Sequence, residues 1–381
     1  MRLLLPNMNN DIWTGIFGQQ HTKELLQRII ASNRIPHAFL FSGPEGVGKY
    51  LTAIRFAQAL NSNPTDNVNS ENVALKIAHH SEPYLKFIMP LPRGKNETSD
   101  NTSLEKLSKE QLDLLKEETD KKISNPYYHI CLENANNIKI SSIREIRKFL
   151  SMNFDEVKYR IILISEAHLM NDEAQNALLK NLEEPPEGAI FILLTSNRNL
   201  LLDTIISRCW SVNFEPLSTE DIISILTRNF SIDEDTSKSL ALFSNGSVYK
   251  ALDFLKHDFD SFKGKVINIL RYSIASKFHS AYKEIQPLIS DSSGQSLKLV
   301  IQLIIFWFVD VQKNKHQIQD YFFWEDSETV EKFNLKFSNI DINNIVVNLS
   351  NIEQAVDNNV NLNILALNII FELASLRFNR I

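Results

Sequence analysis

The chain has 381 residues, 43% of them hydrophobic, and a formal net charge of −6. This length and composition predict a globular protein of two or three domains, and the sequence lacks the long apolar run that a membrane span needs. Its two cysteines, Cys131 and Cys209, exclude a disulfide framework and a four-cysteine zinc site, and the negative charge requires any contact with nucleic acid to be local.

The first half of the chain alternates helical and strand patterns. Residues 1–10 contain an apolar stretch too short for a signal peptide, so we expect a cytoplasmic protein. Apolar residues at helical spacing predict helices over residues 23–33, 49–60 and 172–182, and behind a capping box at Ser142 and Glu145. Short apolar runs predict strands over residues 38–42, 84–91, 160–164 and 189–195. Strands separated by helices predict a parallel α/β sheet.

Residues 61–137 separate two of these strands as a polar insert. The Asn- and Ser-rich start, 61–72, predicts a loop, and leucines at helical spacing predict a helix over 103–121. His79 and His80 offer a weak metal hypothesis. No cysteine lies at ligand spacing from them, so a plain loop or strand start is favoured.

A glycine-rich octet, G-P-E-G-V-G-K-Y, follows the first strand and opens a helix. The pattern fits a phosphate-binding loop, in which Gly43, Gly46 and Gly48 let backbone N–H groups surround phosphates and Lys49 reaches the outer ones. Tyr50 stands where a Ser or Thr hydroxyl normally holds Mg²⁺. We therefore expect that ATP or ADP can bind, with metal-assisted hydrolysis badly impaired.

The end of the 160–164 strand carries a second departure. A working ATPase of this type has an Asp here that holds Mg²⁺, and usually a Glu that activates water. This chain has Ser165 in place of the Asp and keeps Glu166. A simple polar strand end is the alternative, but the loss of both metal ligands favours a catalytic site that is no longer used.

Further motifs share one origin. Residues 171–186 read NDEAQNALLKNLEEPP, the triplet at 207–209 reads SRC, and Gly18-Gln19 and the RIPHA of 34–38 lie near the start. These motifs resemble the AAA+ clamp-loader family of bacterial DNA polymerase III, across residues 16–60 and 138–216. The resemblance implies that Arg208 reaches into a neighbouring subunit's ATP site, a role that suits the forked guanidinium group.

The resemblance also covers nucleotide contacts. Residues 246–252, GSVYKAL, are similar to a family element in which an arginine touches nucleotide, and Tyr249 takes that place. Altered Tyr50, Ser165 and Tyr249 with a retained Arg208 resemble the delta-prime type of subunit within the family. The family's frequent four-cysteine zinc module is missing from this insert, so we expect no zinc.

The resemblance implies an α/β AAA+ domain with a P-loop-type parallel sheet over residues 1–216, a helical lid over 217–260 and a helical collar over 261–381. Residues 301–309, IQLIIFWFV, predict a buried helix, and 359–365 are similar to the family's collar ending. The implied function is to help load the sliding clamp onto primed DNA, with gamma/tau and delta subunits as partners and no membrane.

Two questions stay open at this stage. Arg144, Arg147 and Lys148 share a face of the predicted 143–150 helix, and this face either contacts DNA phosphates or is merely solvated. The chain could also be an ATP-hydrolysing gamma/tau-like motor or another AAA+ protein of DNA replication or repair.

Overall fold

The computed structural model divides the chain into two units, one up to residue 250 and one from residue 251 onwards. It describes residues 12–62, 67–98, 100–151, 156–256, 259–289, 294–318, 321–323, 326–337, 340–357 and 360–377. The two predicted boundaries, after residues 216 and 260, stay a prediction. Along the described residues no helix is long and apolar enough to cross a membrane.

The first unit contains five strands, and helices precede and follow them along the chain. The strands are β1 (Ala38–Ser42), β2 (Leu85–Ile88), β3 (Arg160–Ile164), β4 (Ala189–Thr195) and β5 (Trp210–Asn213). The helices that precede β5 are α1 (Gln20–Ser32), α2 (Lys49–Leu60), α3 (Asn67–Ala78), α4 (Lys109–Ser124), α5 (Ile140–Ser151), α6 (Asp172–Glu183) and α7 (Asp203–Ile206). Those that follow it are α8 (Thr219–Phe230), α9 (Glu234–Phe243) and α10 (Val248–Lys256), the last of which crosses into the second unit.

The five strands form one parallel sheet in the order β2-β3-β4-β1-β5. Every residue of β1 and β4 is buried, which explains their unbroken apolar sequences. β1 pairs with β4 from Ala38 opposite Phe191 to Ser42 opposite Thr195. Because all strands run the same way, the loops after β1, β3 and β4 meet at one edge of the sheet.

Most predicted elements of this unit are confirmed. β1, β3 and β4 and the helix over 49–60 have the predicted bounds, and α6 extends one residue further than predicted. The parallel α/β fold class, followed by helices alone from α8 onwards in the described residues, is confirmed as well. β5 was not predicted, because it has four residues and only Val212 among them is buried.

Three local predictions are wrong. The stretch 61–72 is not wholly a loop, since α3 begins at Asn67 and packs on α2, where the Gln58 side chain donates to the Ala74 carbonyl. The insert helix begins at Lys109 rather than 103, behind a capping box of Ser108 and Gln111. The capping box predicted at Ser142 is also wrong: Ser142 lies inside α5, and the Glu145 carboxylate accepts the Ser103 N–H at 2.6 Å.

The second unit consists of helices wherever the structure describes it. They are α11 (Phe259–Ile274), α12 (Phe278–Ile285), α13 (Gln295–Lys315), α14 (Ser327–Lys336), α15 (Ile342–Asp357) and α16 (Leu362–Ser375). α13 packs against α11, α14 and α15 and contains the predicted buried stretch 301–309. Of the predicted collar ending, residue 359 lies outside the described residues, while Asn361 caps α16 by accepting the Asn363 N–H at 2.9 Å.

Candidate functional site

The glycine-rich loop lies at the carboxyl end of β1, between β4 and the edge strand β5. Gly46 and Gly48 have φ values of 72° and 97°, a left-handed backbone that glycine adopts without strain. A Cβ on Gly46 would lie 2.3 Å from the Ser247 hydroxyl, and one on Gly43 would lie 2.3 Å from the Phe214 carbonyl oxygen. These glycines therefore let the loop pack tightly on the segments around 214 and 247.

Lys49 is the first residue of α2 and is only 9% exposed. Its ammonium donates to the carbonyl oxygens of Gly43 at 2.6 Å and Pro44 at 2.5 Å. Burial lowers the pKa of Lys49, and the nearby Glu166 and Glu45 carboxylates oppose that shift. The structure therefore brings Lys49 and Glu166 together, with the ammonium held on carbonyls of its own loop.

Tyr50 turns into the protein interior. Its hydroxyl lies 2.6 Å from His80 Nε2, and its ring meets the rings of His80 and Phe87 edge-on. Burial raises the Tyr50 pKa, so the phenol stays protonated. The Tyr50 hydroxyl is thus engaged with a histidine, and the side chain fills space between α2 and the turn after α3.

His80 is a packing residue within the described structure. It stacks on Phe87 with ring centroids 4.3 Å apart, in the turn that follows α3. Burial, with help from Lys122 and His79, lowers its pKa to about 3, so the imidazole is neutral at physiological pH. No cluster of metal-ligating side chains occurs in the described part of the chain, and neither histidine belongs to one.

Ser165 and Glu166 follow β3 directly. The Ser165 N–H donates to the Ile88 carbonyl, which anchors the strand end to β2. Glu166 has a left-handed backbone, and its carboxylate lies 3.8 Å from Nδ1 of His168. His168 in turn lies 3.2 Å from the Thr195 hydroxyl at the end of β4. Glu166 therefore lies at the carboxyl end of β3, where a water-activating carboxylate is expected. Ser165 beside it has no carboxylate that could bind Mg²⁺.

The insert reaches into this site, which the sequence did not suggest. Lys122, near the end of α4, donates to the Tyr128 carbonyl at 2.5 Å and lies 4.6 Å from the ring centroid of Tyr50. Burial lowers the pKa of Lys122 to about 8, while the charges of Glu166 and Glu45 raise it and that of Lys49 lowers it further. A second lysine thus stands beside the phosphate-loop lysine.

A buried carboxylate holds the insert in this position. Glu118 accepts hydrogen bonds from the Tyr128 hydroxyl and from the Cys131 N–H, each at 2.9 Å, and its side chain is 5% exposed. Burial alone would raise the pKa of Glu118, but these bonds and that from Lys121 lower it on balance. The segment 125–131 is therefore fastened to α4 across the site.

The space left at the phosphate loop is small. A cavity of about 50 Å³ lies between the loop, the ends of β3 and β4, Tyr249 and the insert residues Lys122 and 126–129. Small-molecule sites usually measure about 300–1,000 Å³. In this conformation the cavity at the phosphate loop is smaller than that range, and insert residues form one of its walls.

Tyr249 closes the site from the side of α10. The chain comes so close to Gly46 here that a Cβ on that glycine would lie 2.7 Å from the Tyr249 Cβ. The Tyr249 ring also faces that of His129, with centroids 5.5 Å apart. Tyr249 therefore lies at the phosphate loop and lines its cavity.

Arg208 does not line the phosphate-loop cavity. Its guanidinium donates to the Thr204 carbonyl at 2.9 Å and lies 2.9 Å from the Glu183 carboxylate. Its side chain is 36% exposed, beside an exposed Trp210. Glu183, the last residue of α6, was not singled out from the sequence, although it belongs to the quoted L-E-E-P-P motif.

The basic face predicted on α5 exists. Arg144, Arg147 and Lys148 are all exposed, on the side of the helix opposite buried Ile143 and Ile146. An exposed basic face is compatible with contact to DNA phosphates and with simple solvation.

The family model and the curated relatives point to the same family. Residues 18–218, more than half of the chain, match the family described as DNA polymerase III, delta subunit. The DNA polymerase III subunit tau of Bacillus subtilis is 28% identical over 67% of this chain, and delta-prime of the same organism is 24% identical over 90%. A gamma subunit-related protein of Thermotoga maritima, of known structure, is 15% identical, with a TM-score of 0.44 over 93% of this chain and 99% of that one.

The relatives differ in how much of their length is matched. The chain spans 38% of the tau protein and 63% of a gamma subunit from Buchnera aphidicola. It spans 92% of the Bacillus subtilis delta-prime protein.

Proposed function

Since this chain belongs to the DNA polymerase III delta-subunit family of clamp-loader proteins, we propose that it is a subunit of the delta-prime type. In such a subunit the nucleotide-binding fold serves assembly and does not hydrolyse ATP itself. Two features support the type: the match to a delta-prime relative runs through almost the whole of both chains, and both expected Mg²⁺ ligands are replaced.

The filled phosphate-loop pocket carries this proposal. The Tyr50 hydroxyl contacts His80, and the Lys49 ammonium is bound by carbonyl oxygens of its own loop. Lys122 and residues 126–129 of the insert line the same small cavity. Glu118 fastens this segment through Tyr128 and Cys131. We therefore expect very weak ATP and ADP binding and no hydrolysis by the isolated chain.

Arg208 is the residue proposed to act in chemistry, in the ATP site of a neighbouring subunit. Its side chain is 36% exposed, it is always charged, and it does not line its own phosphate-loop cavity. Its contacts with Glu183 and Thr204 hold the side chain at the surface in a defined orientation. An arginine supplied in this way stabilises the charge that develops on the transferred phosphoryl group.

The proposed partners follow from the same assignment. They are the gamma/tau and delta subunits of a hetero-oligomeric loader, the sliding clamp and primed DNA, in the cytoplasm where the chromosome is copied. The α5 face with Arg147 and Lys148 is the candidate for DNA phosphates. Within the chain, residues 217–260 are proposed as a lid and 261–381 as a collar that joins the ring of subunits.

A second candidate function is an active gamma/tau-like motor. The 28% identity to a tau subunit favours it, as do the retained Gly43, Gly46, Gly48 and Lys49 and the retained Glu166. The two candidates differ in a simple measurement. The motor hydrolyses ATP alone and loses that activity in Lys49→Ala, whereas the delta-prime type shows negligible turnover that Lys49→Ala does not change.

Assembly is tested with the full-length chain mixed with purified gamma/tau and delta subunits of the same organism. We expect one stable complex in size-exclusion chromatography that loads the clamp on primed DNA. Failure to join any of these subunits, with recovery instead of other repair or recombination proteins, would assign the chain to another AAA+ function.

The role of Arg208 is tested in that complex with Arg208→Ala, Arg208→Lys and the matched control Arg28→Ala, which removes another surface arginine paired with a glutamate. Trans-acting arginines contribute about 10³–10⁵ in rate at one site in well-studied GTPases. We expect intact assembly, slower DNA-stimulated ATP turnover and poor rescue by lysine. Wild-type turnover in Arg208→Ala would show that Arg208 is only a surface ion-pair partner.

A further inference from the structure

The second unit contains a larger cavity than the phosphate loop does. It measures about 320 Å³ and lies between α11 and α14, both of which pack on α13. Trp307 of α13 lines it together with Leu270 of α11 and Phe333 of α14. Its volume falls within the range of about 300–1,000 Å³ that is typical of ligand-binding pockets.

Two regular helical stripes form the sides of this cavity. α11 contributes residues 267, 270, 271 and 274, and α14 contributes 329, 332, 333 and 336, which in each case is the spacing of a single helix face. Ile267, Leu270, Trp307 and Phe333 are at most 7% exposed, so the inner walls are apolar and shielded. The cavity thus follows each helix for about 10 Å, two turns.

The mouth of the cavity is cationic in a chain whose net charge is −6. Arg271 on α11 and Lys332 and Lys336 on α14 are exposed at its edge. Lys332 pairs with Glu328, but both side chains are at least 70% exposed, so water and salt compete with this ion pair. An apolar interior with a basic edge is complementary to an apolar group flanked by negative charges.

We propose that this cavity binds an acidic peptide segment of a partner protein that inserts apolar side chains between α11 and α14. Arg271 lies on α11, whereas Lys332 and Lys336 lie one turn apart on α14. A single carboxylate cannot contact all three cations, whereas a peptide with several carboxylates can. Trp307, which lines the cavity, also has a buried indole Nε1 without a hydrogen-bond partner among the described residues. The proposal does not depend on the clamp-loader assignment.

The test uses the full chain and a fluorescent synthetic peptide in which aspartates flank a phenylalanine and a leucine, measured by fluorescence anisotropy. We expect saturable, salt-sensitive binding that weakens at least about tenfold in the double variant Arg271→Glu, Lys336→Glu. The matched control, Lys277→Glu with Lys283→Glu, reverses two exposed lysines that do not line the cavity and should bind as the wild type does. Thr329→Trp, which fills the cavity without changing charge, should also weaken binding.

Three outcomes would overturn the proposal. One is equal affinity of the cavity and control charge variants, and another is unchanged binding of a peptide whose phenylalanine and leucine are replaced by serine. The third is that single-stranded DNA binds to the same cations and is insensitive to Thr329→Trp, which would assign the basic edge to phosphates. Circular dichroism of each variant separates a loss of binding from a loss of folding.

Discussion

Replacing Lys122 by methionine tests whether the insert is folded into the phosphate-loop pocket in solution. Burial lowers the pKa of Lys122 from 10.5 to about 8. In the unfolded chain the lysine keeps its proton up to about pH 10.5, whereas in the folded chain it loses it near pH 8. Between these values the unfolded state binds more protons, so Lys122 makes the folded state more stable as the pH rises.

The size of this effect follows from the two pKa values. At about 1.4 kcal/mol per pH unit, the full interval corresponds to about 3 kcal/mol of unfolding free energy. Between pH 7 and pH 10 about 2–3 kcal/mol of it should appear. This is an upper figure, because the side chain keeps some contact with solvent. Methionine cannot titrate, so the gap between wild type and Lys122→Met should move by this amount in favour of wild type.

Urea denaturation at pH 7, 8, 9 and 10 measures the difference in unfolding free energy between wild type and Lys122→Met. Other groups that titrate in alkali contribute equally to both proteins and cancel in this difference. Lys116→Met is the matched control, since Lys116 is exposed on the same helix. Its gap to wild type should not change with pH. If the Lys122→Met gap is equally flat, the Lys122 ammonium is solvated and the insert does not occupy the pocket.

Three further outcomes are expected from the first unit. Elemental analysis of tag-free protein should find no stoichiometric zinc, because two cysteines cannot form a closed thiolate site; one zinc per chain would reveal an overlooked site. In ¹⁵N spectra of the folded protein His80 should stay neutral from pH 8 to about pH 4, and stability should fall as the pH drops below 6.5, where an unfolded histidine gains its proton; a His80 titration near pH 6.5 would contradict its burial. Glu118→Gln should lower the free energy of unfolding by about 1–3 kcal/mol, because it weakens charged hydrogen bonds to Tyr128 and Cys131. Glu117→Gln on the exposed side of α4 should cost much less, and equal losses would mean that Glu118 does not fasten the insert.

The sequence predicted the centre of the α/β unit because the signals there are local. Buried parallel strands such as β1 and β4 are continuous apolar runs, and the glycines between β1 and α2 mark a turn with a known purpose. The residues of the phosphate loop are neighbours in the chain, so a motif sufficed to place Lys49 and Tyr50 in one site.

The remaining parts of the site depend on contacts between distant residues. Nothing local to Lys122 predicts that it reaches Tyr50, because the contact requires α4 to pack beside the start of α2, more than seventy residues earlier in the chain. The partner of the Tyr50 hydroxyl, His80, is thirty residues away and belongs to a turn that was predicted as a plain loop or strand start. Glu183 stood inside a recognised motif, yet its pairing with Arg208 depends on the packing of α6 beside α7.

The position of the two cysteines has a practical consequence for following the insert. Cys209 is buried and its pKa is raised to about 12, so its thiol is a poor nucleophile at neutral pH. Cys131 is exposed, and its N–H is one of the groups that Glu118 holds. A maleimide dye therefore labels the native chain at one place, on the edge of the segment that covers the phosphate loop. Its emission can report in real time whether that segment lifts when a neighbouring subunit or a nucleotide is added.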